Sequence, residues 1–430
     1  MDSGALLELA IERPAVGGRM IARHDGRVIL VSGAIPGERV LARVSHFRRG
    51  VSLASTEEVI LADQDRRPAL CDPSCGGNVF SHIAYSRQLS LKREIVADAF
   101  ARIGRLPPPK DITIAPSFEQ GYRLRARLYA AGKLVGFLRS GSHHLCDATK
   151  TGQLSTETGR VISDLQSLLS SHVPDITIRA IDLAESVDGE QRVIHCWLDR
   201  ERPTDITALS SLGAVSGIGG VSASVRRSEP VQHVIGEPEI IESWSTMLPS
   251  LSQVPEVPLR RRPPAFFQGN RFLLATLVER VLMELTPGPV VDLYAGVGVF
   301  ALGAAACGAE DVTAVENDPI SGADLVANAQ SAGGRVRVVR RTVERYLRGK
   351  RRGSPGVWII DPPRTGLSRE ARVLIANTGP CRLVYVSCDI ATLARDLSVL
   401  GGAGYSLRRL NGFDFFPNTA HIELMAVLER

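Results

Sequence analysis

The stretch that most constrains the fold of this 430-residue chain is residues 290–302, VVDLYAGVGVFAL. Its first residues are apolar and mostly β-branched, which is typical of a strand buried on both faces of a sheet. A turn containing Gly296 and Gly298 follows, and the residues after it have an apolar helical pattern. A strand, a glycine turn and a helix in this order predict the first unit of a nucleotide-binding type of α/β sheet.

The turn lacks the full glycine pattern of a dinucleotide-binding site, because Gly296 and Gly298 are followed by Val299. Asp292, just before the turn, would repel a pyrophosphate but suits a ligand with an amino group. Glu316 ends the next predicted strand, 24 positions after Asp292, and an acid at about this distance binds ribose hydroxyls in βαβ folds. S-adenosylmethionine, an amino acid joined to a nucleoside, fits such a pocket. For the two glycines alone, an ordinary tight turn is the alternative.

Further reactive side chains follow predicted strands in the C-terminal part of the chain. Asp361 and Cys388 each come directly after an apolar run, as Glu316 does, and Asp292 lies near the end of its own run. The carboxyl ends of the strands form the ligand-binding edge of an open α/β sheet. We therefore expect these four residues to surround one site.

The first 60 residues are predicted to form short strands separated by turns. Asp25-Gly26, between two apolar runs, predicts a hairpin. Several strands at this spacing indicate a small barrel of the oligonucleotide-binding kind, with a plain β-barrel as the alternative. Basic residues in this region that would supply phosphate contacts are Arg39, Arg43, His46, Arg48 and Arg49.

The formal net charge of +5 does not indicate a general polyanion binder, although basic residues are clustered elsewhere in the chain. The clusters are Arg123, Arg125 and Arg127; Arg260, Arg261 and Arg262; and residues 335–352. They are candidate phosphate contacts, and solvated surface is the alternative for any one of them.

A cysteine motif precedes the central part of the chain. Cys71 and Cys75, followed by two glycines, are arranged like a metal or cluster knuckle, and Cys146 is a candidate third ligand. A soft-metal site usually needs four ligands, and Asn78 is a poor one, so reduced cysteines in a structural loop are the alternative. Seven cysteines in a chain that starts without an apolar signal predict reduced thiols and a cytoplasmic location. No stretch has the length and apolarity of a membrane span.

Three motifs occur in order near the C-terminus: DPPR at residues 361–364, SCDIATLARDL at residues 387–397 and FPNTAHIE at residues 416–423. On these motifs the chain resembles the RNA (uracil-5-)-methyltransferase family, which uses S-adenosylmethionine, over essentially its whole length. Residues 33–40, GAIPGERV, resemble part of a TRAM RNA-binding domain.

The resemblance implies an α/β chain with three domains. Residues 1–62 are expected to form a TRAM or OB-like RNA-binding barrel. Residues 63–260 are expected to form a mixed α+β central domain with a degenerate Fe–S-type cysteine motif. Residues 261–430 are expected to form a Rossmann-like, S-adenosylmethionine-dependent methyltransferase domain.

The chemistry of uracil methylation explains two residues of the motifs. Uracil C5 is a weak nucleophile, and a thiolate that adds to C6 makes C5 reactive toward a methyl donor. Cys388 is the candidate nucleophile, against the alternative of a buried strand cysteine. The C5 proton must then be removed by a base. By resemblance this base is Glu423, against the alternative of a surface glutamate in the last hairpin.

The resemblance also implies positions that contact the cofactor: Gln268, Tyr294, Val299, Glu316 and Asp361. Val299 departs from the polar residue often found there, so its contact would be through backbone or packing. Many family members bind a four-iron, four-sulfur cluster through four cysteines. Cys71, Cys75 and Cys146 match three of them and Asn78 replaces the fourth, so we expect the cluster to be absent or labile.

The expected activity is the formation of 5-methyluridine in RNA. The barrel favours ribosomal RNA, 23S rRNA in particular, over transfer RNA. The alternatives are methylation of uracil C5 in tRNA, methylation of cytosine C5 in RNA, and an RNA-binding factor without catalytic activity. RNA is the expected partner, and neither a protein partner nor a membrane is indicated.

Overall fold

The computed structural model describes residues 4–48, 50–109, 112–132, 134–171, 178–199, 205–225, 233–251, 258–350 and 356–430. Within these residues the strands form a closed barrel, a seven-stranded sheet, a two-stranded sheet and an eight-stranded sheet. No helix in the described ranges combines the length and the apolarity needed to cross a bilayer.

The N-terminal strands close into a barrel in the order β1-β2-β3-β5-β4. They are β1 (Leu6–Pro14), β2 (Met20–His24), β3 (Arg27–Ser32), β4 (Arg39–Arg48) and β5 (Val51–Leu61). The predicted hairpin joins β2 to β3, and Asp25 (φ 47°) and Gly26 (φ 74°) both have left-handed backbone conformations, as a type I′ turn requires. The prediction of a small barrel is therefore confirmed.

Two of the barrel arginines predicted to contact phosphates have carboxylate neighbours. Arg39 pairs with Glu8, and Arg43 Nε lies 2.9 Å from Glu57 Oε1. These pairs are exposed, so they contribute little stability and can exchange for other anions. The side chains of His46 and Arg48, and residue Arg49, lie outside the described residues.

The central part of the chain forms the seven-stranded sheet, in the order β13-β12-β11-β10-β7-β8-β9. Its strands are β7 (Arg125–Ala131), β8 (Leu134–Leu138), β9 (Leu145–Asp147), β10 (Ile178–Glu185), β11 (Arg192–Leu198), β12 (Gly220–Ser224) and β13 (His233–Gly236). Helices α2 (Thr156–Ser171) and α3 (Asp205–Gly213) contribute Ile162 and Leu212 to the apolar core on one face of this sheet.

The C-terminal part forms the eight-stranded sheet, in the order β18-β17-β16-β19-β20-β22-β21-β6. Its strands are β6 (Thr113–Ala115), β16 (Val290–Leu293), β17 (Val312–Val315), β18 (Val336–Val339), β19 (Val357–Ile360), β20 (Arg382–Ser387), β21 (Ser406–Phe413) and β22 (Glu423–Glu429). The strands from β18 to β20 are parallel, whereas β22 runs antiparallel to β20. This arrangement confirms the predicted Rossmann-like α/β sheet.

The helices of this part connect its strands. They are α5 (Leu274–Leu282), α6 (Val299–Ala306), α7 (Pro319–Ser331), α8 (Val343–Leu347), α9 (Arg369–Thr378) and α10 (Ile390–Gly402). Helix α4 (Trp244–Met247) lies between the two strands of the small sheet, β14 (Ile240–Glu242) and β15 (Leu259–Arg261).

Helix α1 (Tyr85–Ala99), which continues as a π-helical turn (Phe100–Gly104), connects the parts of the chain. Leu91 and Ile95 of this helix belong to one apolar cluster with barrel residues such as Ile29 and α10 residues such as Leu393. Strand β6 also joins the C-terminal sheet, by pairing with β21. Parts of the segment predicted as a central domain therefore pack against both of its neighbours.

The expectation of reduced thiols throughout the chain is wrong for one pair, because Cys75 and Cys146 form a disulfide with Cα atoms 6.0 Å apart. Cys75 pairs in an isolated antiparallel bridge with Arg139, and Cys146 lies on β9 next to β8. The fold therefore brings together two cysteines that are 71 positions apart in sequence. Cys71, Cys196, Cys307, Cys381 and Cys388 are free thiols.

Candidate active site

A cavity of about 630 Å³ lies at the carboxyl ends of the parallel strands. Tyr294, Glu316, Asp361 and Cys388, which follow β16, β17, β19 and β20, line it. Gln268 and Glu423 line it as well. The structure thus brings six of the eight predicted site residues to one cavity. The four that follow parallel strands meet there because parallel pairing aligns the strand ends at one edge of the sheet.

The seventh predicted site residue, Val299, lies elsewhere. It is the first residue of α6, it is 6% exposed, and it belongs to the apolar cluster beneath the sheet edge rather than to the cavity lining.

Asp292 also lies behind the turn, contrary to its predicted place beside the ligand. It is fully buried, its Oδ2 accepts a hydrogen bond of 3.0 Å from the backbone N–H of Ala301, and it does not line the cavity. Burial, with the negative charges of Asp361 and Glu316, raises the pKa of Asp292 well above its ordinary value. A carboxyl group at the N-terminal turn of α6 satisfies a donor that the helix itself leaves free.

The turn after β16 has an unusual backbone conformation. Tyr294 has a φ of 63° and Gly298 a φ of 99°; the left-handed region costs a non-glycine residue about 1–2 kcal/mol. The strain persists because neighbouring bonds fix the chain, among them Ala295 N–H to the carbonyl of Val315 at 3.0 Å. Such strain often occurs at ligand sites. A Cβ atom on Gly298 would lie 2.6 Å from Leu325 Cδ1, so both conformation and packing require glycine there.

The backbone around Glu316 fixes its carboxylate. Oε2 accepts a hydrogen bond of 2.9 Å from Gly296 N–H, and Oε1 accepts bonds of 2.6 Å from the N–H groups of Asn317 and Asp318. Burial raises the pKa of Glu316, and these three bonds oppose the shift. A carboxylate oxygen has more than one lone pair, so Glu316 can still accept hydrogen bonds from a diol in the cavity.

Asp361 and Glu423 form a pair of desolvated acids. Gln268 Nε2 donates a hydrogen bond of 3.0 Å to Asp361 Oδ2, yet burial raises the pKa of Asp361 to about 7. Glu423 is 3% exposed. Burial and then the negative charge of Asp361 raise its pKa well above the ordinary value, against the effect of Arg364. A cationic group in the cavity would lower the pKa of Glu423 again.

Cys388 is a thiol rather than a thiolate in the ligand-free cavity. Burial, followed by the charge of Glu423, raises the pKa of Cys388 to about 12, while the Arg364 guanidinium opposes the shift. A thiolate is the nucleophilic form of cysteine. Cys388 must therefore lose its proton before it can act as a nucleophile.

Three arginines, two on β7 and one just before it, also line the cavity. Arg123, Arg125 and Arg127 alternate along the chain and therefore project to the same face of the sheet. Arg127 is paired with Asp182 through two bonds of 2.7 and 2.6 Å, and Arg123 Nε donates to Gln153 Oε1 at 2.7 Å. The Arg125 guanidinium stacks over Phe266 at 5.3 Å.

Arg125 is the most available of these three arginines to bind a phosphate. Arg127 is engaged by Asp182 and Arg123 by Gln153, whereas in the described ranges the contact found for the Arg125 guanidinium is the Phe266 ring. Burial lowers the pKa of Arg125 to about 10, so it remains charged at neutral pH. The position of Arg123, Arg125 and Arg127 at the cavity is consistent with the prediction that this cluster contacts phosphates.

The second arginine cluster is structural, contrary to the prediction of phosphate contacts. Arg260 pairs with Glu239 at 2.8 Å, Arg261 with Glu242 at 2.8 Å, and Arg262 with Asp324 at 2.7 Å. Arg261 is 1% exposed, so a phosphate cannot reach it. In the third cluster Arg348 pairs with Glu370, and residues 351–355 lie outside the described part of the chain.

Sequence reasoning missed two polar residues of the cavity, Asp318 and Ser321. Asp318 is the N-cap of α7, with its Oδ1 accepting from the N–H groups of Ile320 and Ser321 at 3.1 and 2.9 Å. An aspartate before a proline, two residues after a predicted strand, is a helix-start signal that could have placed it at this edge.

The cysteine motif does not provide the donors of a four-iron, four-sulfur cluster. Asn78 is buried and its Nδ2 donates a hydrogen bond of 3.1 Å to the carbonyl of Thr151, while Cys75 and Cys146 are bonded to each other. In the described ranges, no group of three or more His, Cys, Asp or Glu side chains is arranged to hold a metal ion. The residues present therefore do not fit the cluster.

The chain was also compared with known protein families and structures. Residues 354–430 match the family described as tRNA (Uracil-5-)-methyltransferase, and residues 275–378 match the family described as Conserved hypothetical protein 95. The chain is 32% identical over 443 residues to the 23S rRNA (uracil(1939)-C(5))-methyltransferase RlmD of Methylococcus capsulatus, which covers 98% of this chain and 96% of that protein. The chain belongs to the RNA uracil-C5 methyltransferase family.

A second relative and a solved structure extend the similarity of this methyltransferase along its whole length. The protein of the same name from Pseudomonas syringae pv. tomato is 32% identical over 443 residues, which is 100% of this chain and 95% of that protein. The crystal structure of the tRNA (uracil-54, C5)-methyltransferase of Pyrococcus abyssi has a TM-score of 0.77 and 21% identity, and covers 98% of this chain and 99% of its own. The latter similarity establishes a common fold.

The cysteine motif generates the first prediction. We expect the methyltransferase purified without oxygen to contain no stoichiometric iron and sulfide, because Asn78 binds Thr151 and supplies no thiolate. Iron and acid-labile sulfide should be quantified in the wild type and in Asn78→Cys, which restores the fourth cysteine. About four irons and four sulfides per wild-type chain, the content of such a cluster, would contradict the prediction.

The second prediction concerns the glycine turn. Gly298→Ala should displace the turn and weaken S-adenosylmethionine binding by about tenfold or more, as measured by calorimetry; a tenfold change corresponds to about 1.4 kcal/mol. Gly308→Ala is the matched control. Gly308 has a φ of +92° with no atom within 4 Å of an added Cβ, so this change should cost about 1 kcal/mol of stability and leave the dissociation constant unchanged. Equal dissociation constants for the two variants would count against a role of the turn.

The third prediction concerns the raised pKa of Asp361. Because its pKa rises from 3.8 to about 7 on folding, the folded state holds a proton that the unfolded state releases between these pH values. The free energy of unfolding should therefore fall as pH rises through this window. Asp361→Asn should remove the part of this loss that comes from Asp361, while Glu316 and Glu423, whose pKa values are also raised, keep their own contributions. The variant should therefore melt higher than wild type at pH 8 and similarly at pH 4. Asp311→Asn, at an exposed position, is the control, and a parallel pH dependence of wild type and Asp361→Asn would refute the shift.

Proposed function

We propose that this methyltransferase transfers a methyl group from S-adenosylmethionine to C5 of a uridine in 23S rRNA. The observation that carries the proposal is the presence of Cys388 and Glu423 in one cavity with the predicted cofactor-contacting residues. The relatives similar over nearly the full chain are named as 23S rRNA uracil-C5 methyltransferases, which supports the same substrate. A ribosomal RNA substrate would place the enzyme in the cytoplasm.

Four residues are proposed to hold the cofactor. Glu316 accepts the ribose hydroxyls with its backbone-fixed carboxylate, and the turn at Tyr294 brings its backbone close to the ligand. Gln268 and Asp361, hydrogen-bonded to each other, lie on the same cavity wall as the reacting residues. When bound, S-adenosylmethionine supplies an electrophilic methyl group on a cationic sulfur. A cation in the cavity also favours the charged forms of Asp361 and Glu423.

Cys388 and Glu423 are proposed as the catalytic residues. Cys388 loses its proton to solvent, and the thiolate sulfur forms a bond to C6 of the uracil, whose C5–C6 π electrons move to C5 and the C4 carbonyl. C5 then takes the methyl group. Glu423, as the carboxylate, removes the C5 proton, the C5–C6 double bond re-forms, and the Cys388 thiolate leaves. The uracil must leave its base stack to reach this depth.

The RNA is proposed to contact the arginine-lined wall and the barrel. Arg125 and Arg123 lie at the cavity with aromatic neighbours, Phe266 and Phe416, and planar guanidinium groups bind phosphates and stack on bases. The TRAM-like barrel supplies the second surface. A tRNA substrate is the second candidate, because the family that matches residues 354–430 is named for tRNA.

A trapping experiment tests the proposal. With S-adenosylmethionine and 23S rRNA fragments that contain 5-fluorouridine, the methylated adduct should stay bonded to Cys388, because fluorine at C5 cannot leave as a proton. Denaturing gels and peptide mapping would detect the adduct. Cys388→Ala should form none. Glu423→Gln should form it with fluorinated RNA and should also accumulate it with ordinary uridine.

Each outcome supports one assignment of substrate or activity. An adduct only with tRNA would preserve the chemistry and change the substrate. If 5-methylcytidine were the sole nucleoside product, the base would be cytosine. If wild type gave no adduct and no methylated nucleoside with either RNA, the protein would be an RNA-binding factor without catalytic activity.

A further inference from the structure

We propose that Lys92 of helix α1, together with Tyr85 and Gln88, is a positioning residue for the proton-removal step: it holds the loop of residues 414–418, whose Phe416 lines the same cavity as Glu423. This inference rests on the function proposed above. It concerns residues more than 320 positions away from the loop in sequence, outside the three C-terminal motifs.

The three residues lie on one face of the helix. Tyr85, Gln88 and Lys92 are spaced at i, i+3 and i+7, which places them on a single stripe. Gln88 and Lys92 are fully buried. Lysine is almost never fully buried unless it is paired, so this stripe must have specific partners.

Asp414 is the first partner. Lys92 Nζ forms an ion pair with Asp414 Oδ1, and both side chains are fully buried. The Tyr85 hydroxyl donates a hydrogen bond of 2.9 Å to Asp414 Oδ2 and accepts one of 2.8 Å from Ser117 N–H. Both carboxylate oxygens of Asp414 therefore bind helix α1.

Two further contacts hold the rest of the loop. Lys92 Nζ donates a hydrogen bond of 3.0 Å to the carbonyl of Phe416. Gln88 binds Asn418 reciprocally, with its Nε2 donating to Asn418 Oδ1 and its Oε1 accepting from Asn418 N–H, both at 2.9 Å. Asn418 has a φ of 62°, a conformation that needs such external support.

The loop bears on the site because the chain continues from it to Glu423 at the start of β22. It joins β21 to β22, and Phe413 and Glu423 face each other as the last pair of these two strands. The Phe416 ring lines the cavity that Glu423 lines, with the Arg123 guanidinium 5.9 Å from its centre. A shift of the Phe416 backbone would therefore move a wall against which the substrate base and the Glu423 carboxyl must meet.

A purely structural role does not require these polar residues. Buried ion pairs can often be replaced by apolar residues with no loss of stability. What an apolar replacement cannot supply is a donor for the Phe416 carbonyl and the reciprocal amide bonds to Asn418. These directional bonds set the position of the loop, which is why we assign them to the geometry of proton removal.

The test uses a double variant, Lys92→Met with Asp414→Asn, which removes the ion pair without leaving an unpaired charge. It should fold with a melting temperature close to wild type. It should form the adduct with 5-fluorouridine RNA at a rate within about twofold of wild type, while turnover on ordinary RNA falls about 10- to 100-fold, since small misplacements cost this much. The covalent adduct with ordinary uridine should then accumulate, as in Glu423→Gln.

Asp98→Asn is the matched control. Asp98 lies on the same helix and its carboxylate pairs with Arg13 and Arg102, away from the loop. This variant should lose an ion pair of α1 without accumulating the adduct. Tyr85→Phe, which removes one hydroxyl, is a second and milder variant. It should show the same pattern with a smaller loss of turnover, and it serves if the double variant does not fold.

The outcomes are distinguishable. Equal losses in adduct formation and in turnover, or turnover unchanged in both the double variant and Tyr85→Phe, would overturn the positioning role while leaving the proposed function intact. Accumulation of the adduct in Asp98→Asn would also overturn it. Failure of the wild type to form any adduct with fluorinated RNA would reject the proposed function, and with it this inference.

Discussion

The parallel pairing of β16 with β17 and β19 is the constraint on which the rest of the site depends. It aligns Leu293 with Val315 and Ile360, so the next residues, Tyr294, Glu316 and Asp361, emerge at one edge. Because both faces of the sheet are covered, this edge is where the backbone can turn toward a ligand. The strained Tyr294 conformation and the glycine turn are local consequences of this geometry.

The same constraint concentrates acids in a poorly solvated place. Asp292, Glu316, Asp361 and Glu423 all have raised pKa values, and burial is the largest cause for each. A cavity lined by desolvated acids favours the binding of a ligand that carries positive charge. Burial also raises the pKa of Cys388, which limits unwanted reactions of this thiol.

Parts of the chain that are distant in sequence complete the site at the edge of the C-terminal sheet. Strand β6, helix α1 and the three arginines at the start of β7 all come from residues before 132, and each of these parts contacts the C-terminal sheet or its cavity. The region around Asn78 shows a different use of packing, in which a hydrogen bond and a disulfide occupy a motif that resembles a cluster site. The N-terminal parts of the chain thus shape a site whose reactive groups lie elsewhere.

The sequence by itself determined the elements that local pattern controls: the barrel with its Asp25-Gly26 hairpin, the β16–α6 unit, and the strand-end positions of Glu316, Asp361 and Cys388. These were predictable because hydrophobic period and turn chemistry act over a few residues. Only the tertiary structure decided that Asp292 lies behind the turn, that Val299 packs beneath it, and that Arg260, Arg261 and Arg262 bind carboxylates instead of facing solvent. It also decided that Lys92 reaches Asp414. Whether a charge is buried, paired or exposed depends on neighbours distant in sequence, and no local pattern records them.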